Sequence, residues 1–180
     1  MLYYIHGYLS SPDGTKGTLF EKTLNAKAIR YRTCEPEDLI IDDCLQSIYE
    51  VIKDDPAVTL IGSSLGGFLA AETALHHDQV KKLILLNPAV IHPDIDVSRI
   101  SDMPQRILQD MQDPELFNKK MHAQSLVIIG TEDEVVPNRW SIDFAKVQES
   151  HVRFVHDDHQ LSTYLTQLPT MISIFLNQKH

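Results

Sequence analysis

A serine stands between two glycines where residues 62–66 read GSSLG, in the frame G-x-S-x-G. Only Ser64 fits that frame, with Gly62 and Gly66 two positions away on either side. An apolar run precedes the motif and a helix-forming stretch follows it, as expected for a strand-to-helix turn that carries a nucleophile. The two glycines would let strand and helix approach closely around a strained Ser64. Alternatively, Ser63 and Ser64 only cap the helix.

A serine hydroxyl needs a base to attack a carbonyl carbon at neutral pH, most often a histidine that a carboxylate orients. Three acids, residues 132–134, follow one apolar run, and any of them could supply the carboxylate. His156 and His159 follow the next run. We expect His156 to end that strand, whereas His159 lies further along a loop and could reach across the sheet edge. The chain order would then be nucleophile, acid, base.

The first apolar run ends in His6-Gly7-Tyr8, which suits an oxyanion hole. Gly7 permits a backbone turn that a side chain would block. The N–H groups of Tyr8 and Leu65 would then stabilise negative charge on an attacked carbonyl oxygen, helped by the helix N-terminus. His6 is expected to support this loop through a hydrogen bond; alternatively, it is simply a buried histidine whose polar atoms have partners.

Short apolar runs alternate with amphipathic segments along the whole chain. This pattern predicts six strands, over residues 2–5, 26–33, 57–62, 81–87, 124–130 and 151–156. It predicts helices over residues 17–26, from Pro36 to Asp55-Pro56, and over 64–77, 138–150 and 162–178. Continuous apolarity in several strands indicates that helices cover both faces of the sheet.

The alternation predicts an α/β fold with a mainly parallel six-stranded sheet and helices on both faces. In the expected strand order 2-1-3-4-5-6, the switch point lies between strands one and three, where ligands bind. One domain is expected over residues 1–180. Segment 89–122, rich in proline, is expected to be a short lid-like excursion. Its methionines Met103, Met111 and Met121 could line an acyl pocket or pack the lid, whereas Trp140 is expected to pack.

Composition excludes several classes of function. The net charge is −9, from 16 Lys+Arg against 25 Asp+Glu. Nucleic acids and anionic membranes bind basic surfaces, so neither is an expected partner. No signal-peptide pattern is present, and the two cysteines, Cys34 and Cys44, suit a cytoplasmic protein with reduced, core-packed thiols. No feature of the sequence indicates an oligomeric state.

Five segments together resemble the α/β-hydrolase superfamily, and more closely the small bacterial esterase-like proteins of the YqiA type. These are YIHGYLSSP (4–12), LIGSSLGGFLAAE (60–72), LLNPAV (85–90), GTEDEVVP (130–137) and DDHQL (157–161). The resemblance covers essentially the whole chain and implies Ser64 as nucleophile and His159 as base. Among the three acids it selects Asp133, because the family's aspartate precedes a short turn and Val-Pro.

The chain is therefore expected to be a serine esterase or thioesterase that forms an acyl-serine intermediate on a small-molecule acyl substrate. No cofactor and no metal are expected, because the spacing of the His156-Asp157-Asp158-His159 run matches no strong ligand motif. The same residues could also cleave a C–C or peptide bond. The alternative is a non-catalytic α/β-hydrolase-like protein that binds a ligand or a partner, since fold alone does not define function.

Overall fold

The computed structural model describes residues 1–178 and contains one six-stranded sheet in the order β2-β1-β3-β4-β5-β6. All five strand pairs are parallel, which confirms the predicted order and direction. Lys179 and His180, the end of the predicted domain, lie outside the described residues. The strands are β1 Leu2–Ile5, β2 Lys27–Ala28, β3 Val58–Ser63, β4 Val80–Leu86, β5 Gln124–Gly130 and β6 His151–Val155.

Seven α-helices in residues 1–178 connect and cover these strands. They are α1 Thr15–Leu24, α2 Ile41–Ile52, α3 Leu65–His76, α4 Gln105–Asp110, α5 Glu115–Asn118, α6 Asn138–Val147 and α7 Leu168–Leu176. Within this part of the chain, none of the helices has the length and apolarity to cross a membrane.

The sheet is apolar on both faces because helices pack on both. Successive side chains of a strand point to opposite faces. In β1, Tyr3 and Ile5 join the apolar cluster formed with α2, α3 and α6, whereas Tyr4 joins the cluster formed with α1 and α7. This two-sided burial explains the nearly continuous apolar runs of the sequence.

The second strand is shorter than the predicted segment 26–33. Only Lys27–Ala28 form β2, followed by one further bond from the Ile29 N–H to the Tyr4 carbonyl at 2.8 Å. Because β1 ends at Ile5, this edge strand has no partner for its later residues. The rest of the segment leaves the sheet and contacts the loop after β1.

Two helices begin later than predicted. Residues Pro36–Asp38 form a separate 3-10 turn, and α2 begins only at Ile41. Between them Leu39 is extended, with ψ 149°, and fully buried, so the chain leaves the helical conformation to place this side chain in the core. A 3-10 turn, Leu165–Gln167, also precedes α7, and Pro169 lies in the first turn of that helix, where its missing N–H needs no acceptor.

The two cysteines differ in environment. Cys44 is buried in α2, as expected for a core-packed thiol, and burial raises its pKa to about 12. Cys34 is exposed, so the expectation that it packs in the core is wrong. It lies in the loop before the first 3-10 turn, outside the strand that was predicted to end beside it.

Candidate active site

Ser64 lies at the tip of the turn between β3 and α3. Its backbone has φ 54° and ψ −121°, a conformation that non-glycine residues adopt only where the surroundings enforce it. The Ser64 N–H donates to the Leu86 carbonyl at 3.0 Å, and its own carbonyl accepts from the Gly67 N–H at 2.8 Å. The hydroxyl makes no capping bond to α3, so the capping alternative does not describe Ser64.

Glycines leave room for this turn against β1. A Cβ on Gly62 would lie 2.2 Å from the Gly66 carbonyl oxygen, and a Cβ on Gly66 would lie 2.2 Å from that of Ile5. From the loop after β1, a Cβ on Gly7 would come within 3.3 Å of Ser64 Cβ. The close approach of turn, helix and β1 therefore requires glycine at 62 and 66.

The three side chains selected from the sequence meet in one chain of hydrogen bonds. His159 Nε2 lies 3.0 Å from Ser64 Oγ, and His159 Nδ1 lies 2.8 Å from Asp133 Oδ2. An ionised carboxylate only accepts, so we assign the proton to Nδ1, which leaves Nε2 to accept from the hydroxyl. The Asp133 side chain is 1% exposed and that of His159 12%, which keeps this chain largely out of bulk water.

The loop after β5 fixes Asp133 and leaves its acidic neighbours in solvent. Asp133 Oδ1 accepts from two backbone N–H groups of the same loop, at 2.8 and 2.9 Å. Glu132 and Glu134 are exposed, and the Glu132 carboxylate lies 3.3 Å from His156 Nδ1. Of the three acids, only Asp133 contacts His159.

Asn87, directly after β4, connects the loops that carry the acid and the histidine, and it was not among the site residues predicted from the sequence. Its Nδ2 donates to the carbonyls of Asp158 and His159 at 3.1 and 3.0 Å, and its Oδ1 accepts from the Gly130 N–H at 2.7 Å. The residue is buried and has φ 42°. Its position at the carboxyl end of a strand is the sequence signal that could have identified it.

Asp157 shapes the turn after β6. Its carboxylate accepts from the backbone N–H groups of Asp158, Thr163 and Tyr164. Burial alone would raise the pKa of Asp157, but these hydrogen bonds hold that pKa below its usual value. The ionised side chain thus fixes the start of the loop that carries His159.

The Tyr8 and Leu65 N–H groups belong to neighbouring loops. Tyr8 follows β1 and Leu65 begins α3, and β1 pairs with β3 so that Ile5 lies opposite Gly62. Across residues 1–178, neither N–H donates to a backbone carbonyl. Both donors are therefore available to a ligand at this edge, and their role in an oxyanion hole stays a prediction.

Buried side chains hold the loop that carries Tyr8. His6 Nδ1 donates to the Gly7 carbonyl at 2.8 Å, and its ring stacks on Tyr31 with centroids 4.4 Å apart. Burial lowers the pKa of His6 to about 4, so the ring is neutral near pH 7. Arg32 donates to the Tyr8 carbonyl at 2.8 Å. These contacts suit a supporting role for His6. They also involve Tyr31 and Arg32, which were not among the site residues predicted from the sequence.

A cavity of ≈ 620 Å³ opens at Ser64 and His159. Excursion 89–122 contributes much of its lining, including Met103 and Met111, whereas Met121 packs in the apolar cluster. Trp140 packs against that cluster, as predicted, and it also lines the cavity, which was not predicted.

Within residues 1–178, the side chains that could together bind a metal ion are not those of the run 156–159 considered in the sequence. In the run 156–159, His159 is engaged by Ser64 and Asp133, and His156 is exposed just beyond β6. Glu72, His76 and Asp113 offer ligand atoms within 4.8 Å of one another, outside the residues that line the cavity.

The order and direction of the six strands are those of the α/β-hydrolase fold, and the solved structures that share this fold include the following three. Est1E from Butyrivibrio proteoclasticus with bound ferulic acid is 19% identical with TM-score 0.78, over 97% of this chain and 87% of that one. The esterase Pf2001 from Pyrococcus furiosus is 14% identical with TM-score 0.75, over 97% and 81%. The meta-cleavage product hydrolase CumD from Pseudomonas fluorescens, complexed with acetates, is 16% identical with TM-score 0.73, over 98% and 90%.

The chain belongs to the uncharacterised protein family UPF0227, whose family model matches residues 1–176. This membership confirms the resemblance to proteins of the YqiA type. A search of curated proteins found no significant match.

Proposed function

We propose that the protein is a serine hydrolase that cleaves a carboxylic ester or a thioester of a small acyl compound. The observation that carries this proposal is the hydrogen-bond chain from Ser64 Oγ through His159 to Asp133, at 3.0 and 2.8 Å, in the wall of a ≈ 620 Å³ cavity. Esterases among the proteins that share the fold, Est1E and Pf2001, support the same class of reaction.

Each side chain of this hydrogen-bond chain has a role in acylation. Ser64 Oγ attacks the carbonyl carbon of the substrate while His159 Nε2 takes the hydroxyl proton. The Asp133 carboxylate stabilises the resulting imidazolium. Negative charge on the former carbonyl oxygen is stabilised by the N–H groups of Tyr8 and Leu65.

Acylation ends when His159 gives its proton to the leaving alcohol or thiol, and the acyl group stays on Ser64. Deacylation repeats the proton transfers with water as the nucleophile. His159 then deprotonates water, which attacks the acyl-serine. The acid is released and the proton returns to Ser64. The chemistry assigned to these residues calls on no cofactor.

Labelling with a fluorophosphonate probe, followed by peptide mapping, tests the proposal. The probe reacts with an activated serine, so we expect an adduct on Ser64 in the folded protein and none in Ser64→Ala. The adjacent Ser63 offers a matched control, because Ser63→Ala should retain the adduct. An adduct missing from the folded wild type, or retained in Ser64→Ala, would contradict the proposal.

Turnover of p-nitrophenyl acetate and butyrate separates catalysis from ligand binding. We expect Ser64→Ala to lower kcat by at least about 10⁴-fold, because the nucleophile is lost. Equal background rates in the wild type and Ser64→Ala would instead favour the non-catalytic binding protein.

A further inference from the structure

Lys16 brings a positive charge to the cavity that holds Ser64 and His159. It lies in the first turn of α1, is half-buried, and lines the cavity. Burial lowers the pKa of the Lys16 ammonium, against the opposing effect of the Asp158 and Asp157 carboxylates. Neither acylation nor deacylation, as proposed for this site, uses the charge of Lys16.

Lys16 has no ion-pair partner in residues 1–178. Its Nζ donates to Gln160 Oε1 at 3.4 Å, and no carboxylate oxygen of this part of the chain lies within 4.0 Å of it. Asp157 and Asp158 act on Lys16 from further away and accept hydrogen bonds within their own loop. Because burial outweighs the effect of these two carboxylates on the pKa of Lys16, an anion bound at Nζ would stabilise the ammonium further.

The cavity has an apolar wall and a polar wall. The apolar wall comes mainly from the excursion and includes Ile91, Ile100, Met103, Leu108 and Met111. The start of α1 and the loops after β1 and β6 contribute a polar part of the lining, formed by Ser10, Thr15, Lys16 and Gln160, and also contribute Tyr8 and Leu9. Asp102, a further charged residue in the lining, is exposed on the excursion and forms no ion pair with Lys16. An acyl chain therefore fits the excursion side, and a charged group fits the α1 side.

Lys16 is linked through Gln160 to the loop that carries His159. His159 must reach the leaving oxygen or sulfur in order to protonate it. Gln160, which accepts the Lys16 hydrogen bond, is the next residue in the chain after His159. A substituent on the leaving alcohol or thiol would therefore extend toward the Lys16 ammonium.

We propose that Lys16 binds an anionic group, a carboxylate or a phosphate, on the alcohol or thiol portion of the substrate. This inference rests on the proposed serine hydrolase function. It narrows the substrate class to acyl esters and thioesters of anionic alcohols or thiols, and it makes Lys16 a specificity-determining residue.

Three butyryl thioesters test this proposal. They share the same acyl group and the same leaving atom, sulfur, and differ only in the rest of the thiol. Their thiols are 2-mercaptoethanol, 3-mercaptopropionate and 2-mercaptoethyl phosphate, and thiol release is measured with a disulfide reagent. We expect the wild type to have a kcat/KM for at least one anionic thioester about tenfold or more above that of the neutral one. Most of the difference should lie in KM, because the contact forms in the ground state as well as the transition state.

Lys16→Met keeps the aliphatic stem and removes the charge. It should abolish the preference for the anionic thioesters and leave turnover of the neutral thioester within about threefold, which also shows that the variant folds. Lys16→Arg should retain most of the preference. Lys22→Met, at an exposed lysine in the last turn of the same helix, is the matched control and should behave as the wild type.

The outcomes separate this inference from the function on which it rests. Cleavage of the neutral thioester without any preference for the anionic ones, or a preference that survives in Lys16→Met, overturns the role of Lys16 alone. Failure of the wild type to cleave any of the three counts against the proposed hydrolase. A preference lost in Lys16→Met supports the proposal, and the better of the two anions identifies the group that the site binds.

Discussion

Asp133 and Glu132 are adjacent acids with opposite surroundings. The Asp133 carboxylate is 1% exposed and contacts His159 Nδ1, whereas Glu132 is exposed and lies beside His156. Asp133→Asn keeps the size of the side chain but removes the charge that orients and stabilises the imidazolium, so we expect kcat to fall by about 10⁴-fold. Glu132→Gln should leave kcat within about threefold. Steady-state hydrolysis of p-nitrophenyl butyrate measures both variants.

His156 and His159, both in the loop after β6, offer a second matched pair. His159→Ala should lose activity to a similar extent as Ser64→Ala, and His156→Ala should keep it. Equal losses in Asp133→Asn and Glu132→Gln, or in the two histidine variants, would show that the observed contact does not select the catalytic groups.

Gly66 has no space for a side chain. An added Cβ would lie 2.2 Å from the Ile5 carbonyl oxygen and 2.4 Å from that of His6, and both belong to backbone that cannot rotate away. We expect Gly66→Ala to lower the free energy of unfolding by about 3 kcal/mol, measured by urea denaturation. At Gly14 the nearest atoms to an added Cβ are 3.1 Å away, so Gly14→Ala should cost clearly less. A Gly66→Ala protein as stable as the wild type would contradict this close packing.

At the scale of elements, Asn87 joins the ends of β4 and β5 to the loop after β6. Asn87→Ala leaves the His159 carbonyl and the Gly130 N–H without a partner, and it removes one of the two donors to the Asp158 carbonyl. We expect kcat to fall by about 10- to 100-fold with little change in KM, because His159 is displaced while the cavity wall is unchanged. Asn138→Ala is the control, since Asn138 makes a single 3.4 Å contact to a carbonyl at the same edge. A loss shared equally between the two variants, or confined to stability, would contradict a positioning role.

Helix α3 meets the excursion at a buried carboxyl group, Glu72. Burial, with smaller effects of Asp113 and Glu115, raises the pKa of Glu72 from 4.5 to about 8. Between these pH values the unfolded chain loses this proton while the folded protein keeps it. The contribution of Glu72 is therefore fully present below about pH 4.5 and falls as the pH rises toward 8.

Glu72→Gln keeps the shape of the side chain and cannot ionise. We expect its free energy of unfolding to exceed that of the wild type increasingly from pH 5 to 8, by on the order of 4 kcal/mol at the upper end. Chemical denaturation across this pH range measures the difference, with the exposed Glu50→Gln as control. A constant difference between the two proteins would show that Glu72 does not titrate in this range.

At the scale of the whole molecule, the sheet could be predicted because its signal is local. The strands are apolar on both faces, and the amphipathic segments between them permit only parallel connections. The predicted ends of some helices and strands were wrong where tertiary packing determines the backbone conformation. Burial of Leu39 divides the predicted second helix, and the early end of β1 limits β2 to Lys27–Ala28.

The residues of the candidate site also differ in whether the local sequence could predict them. Ser64, Asp133 and His159 could be selected because each follows a strand, and the structure brings them within hydrogen-bond distance. Lys16 and Arg32 act on groups far away in sequence, so no local spacing identifies them. Their contacts depend on how loops from different strands meet at one edge.

The separation of 95 residues between Ser64 and His159 has a consequence for folding kinetics and biosynthesis. The histidine loop follows β6, an outer strand of the sheet that, within residues 1–178, pairs only with β5. The proposed hydrolytic activity therefore cannot appear on a growing or refolding chain before this last strand docks, even when most helices and strands have formed. Recovery of activity would thus time the completion of the sheet, whereas circular dichroism would report its earlier stages.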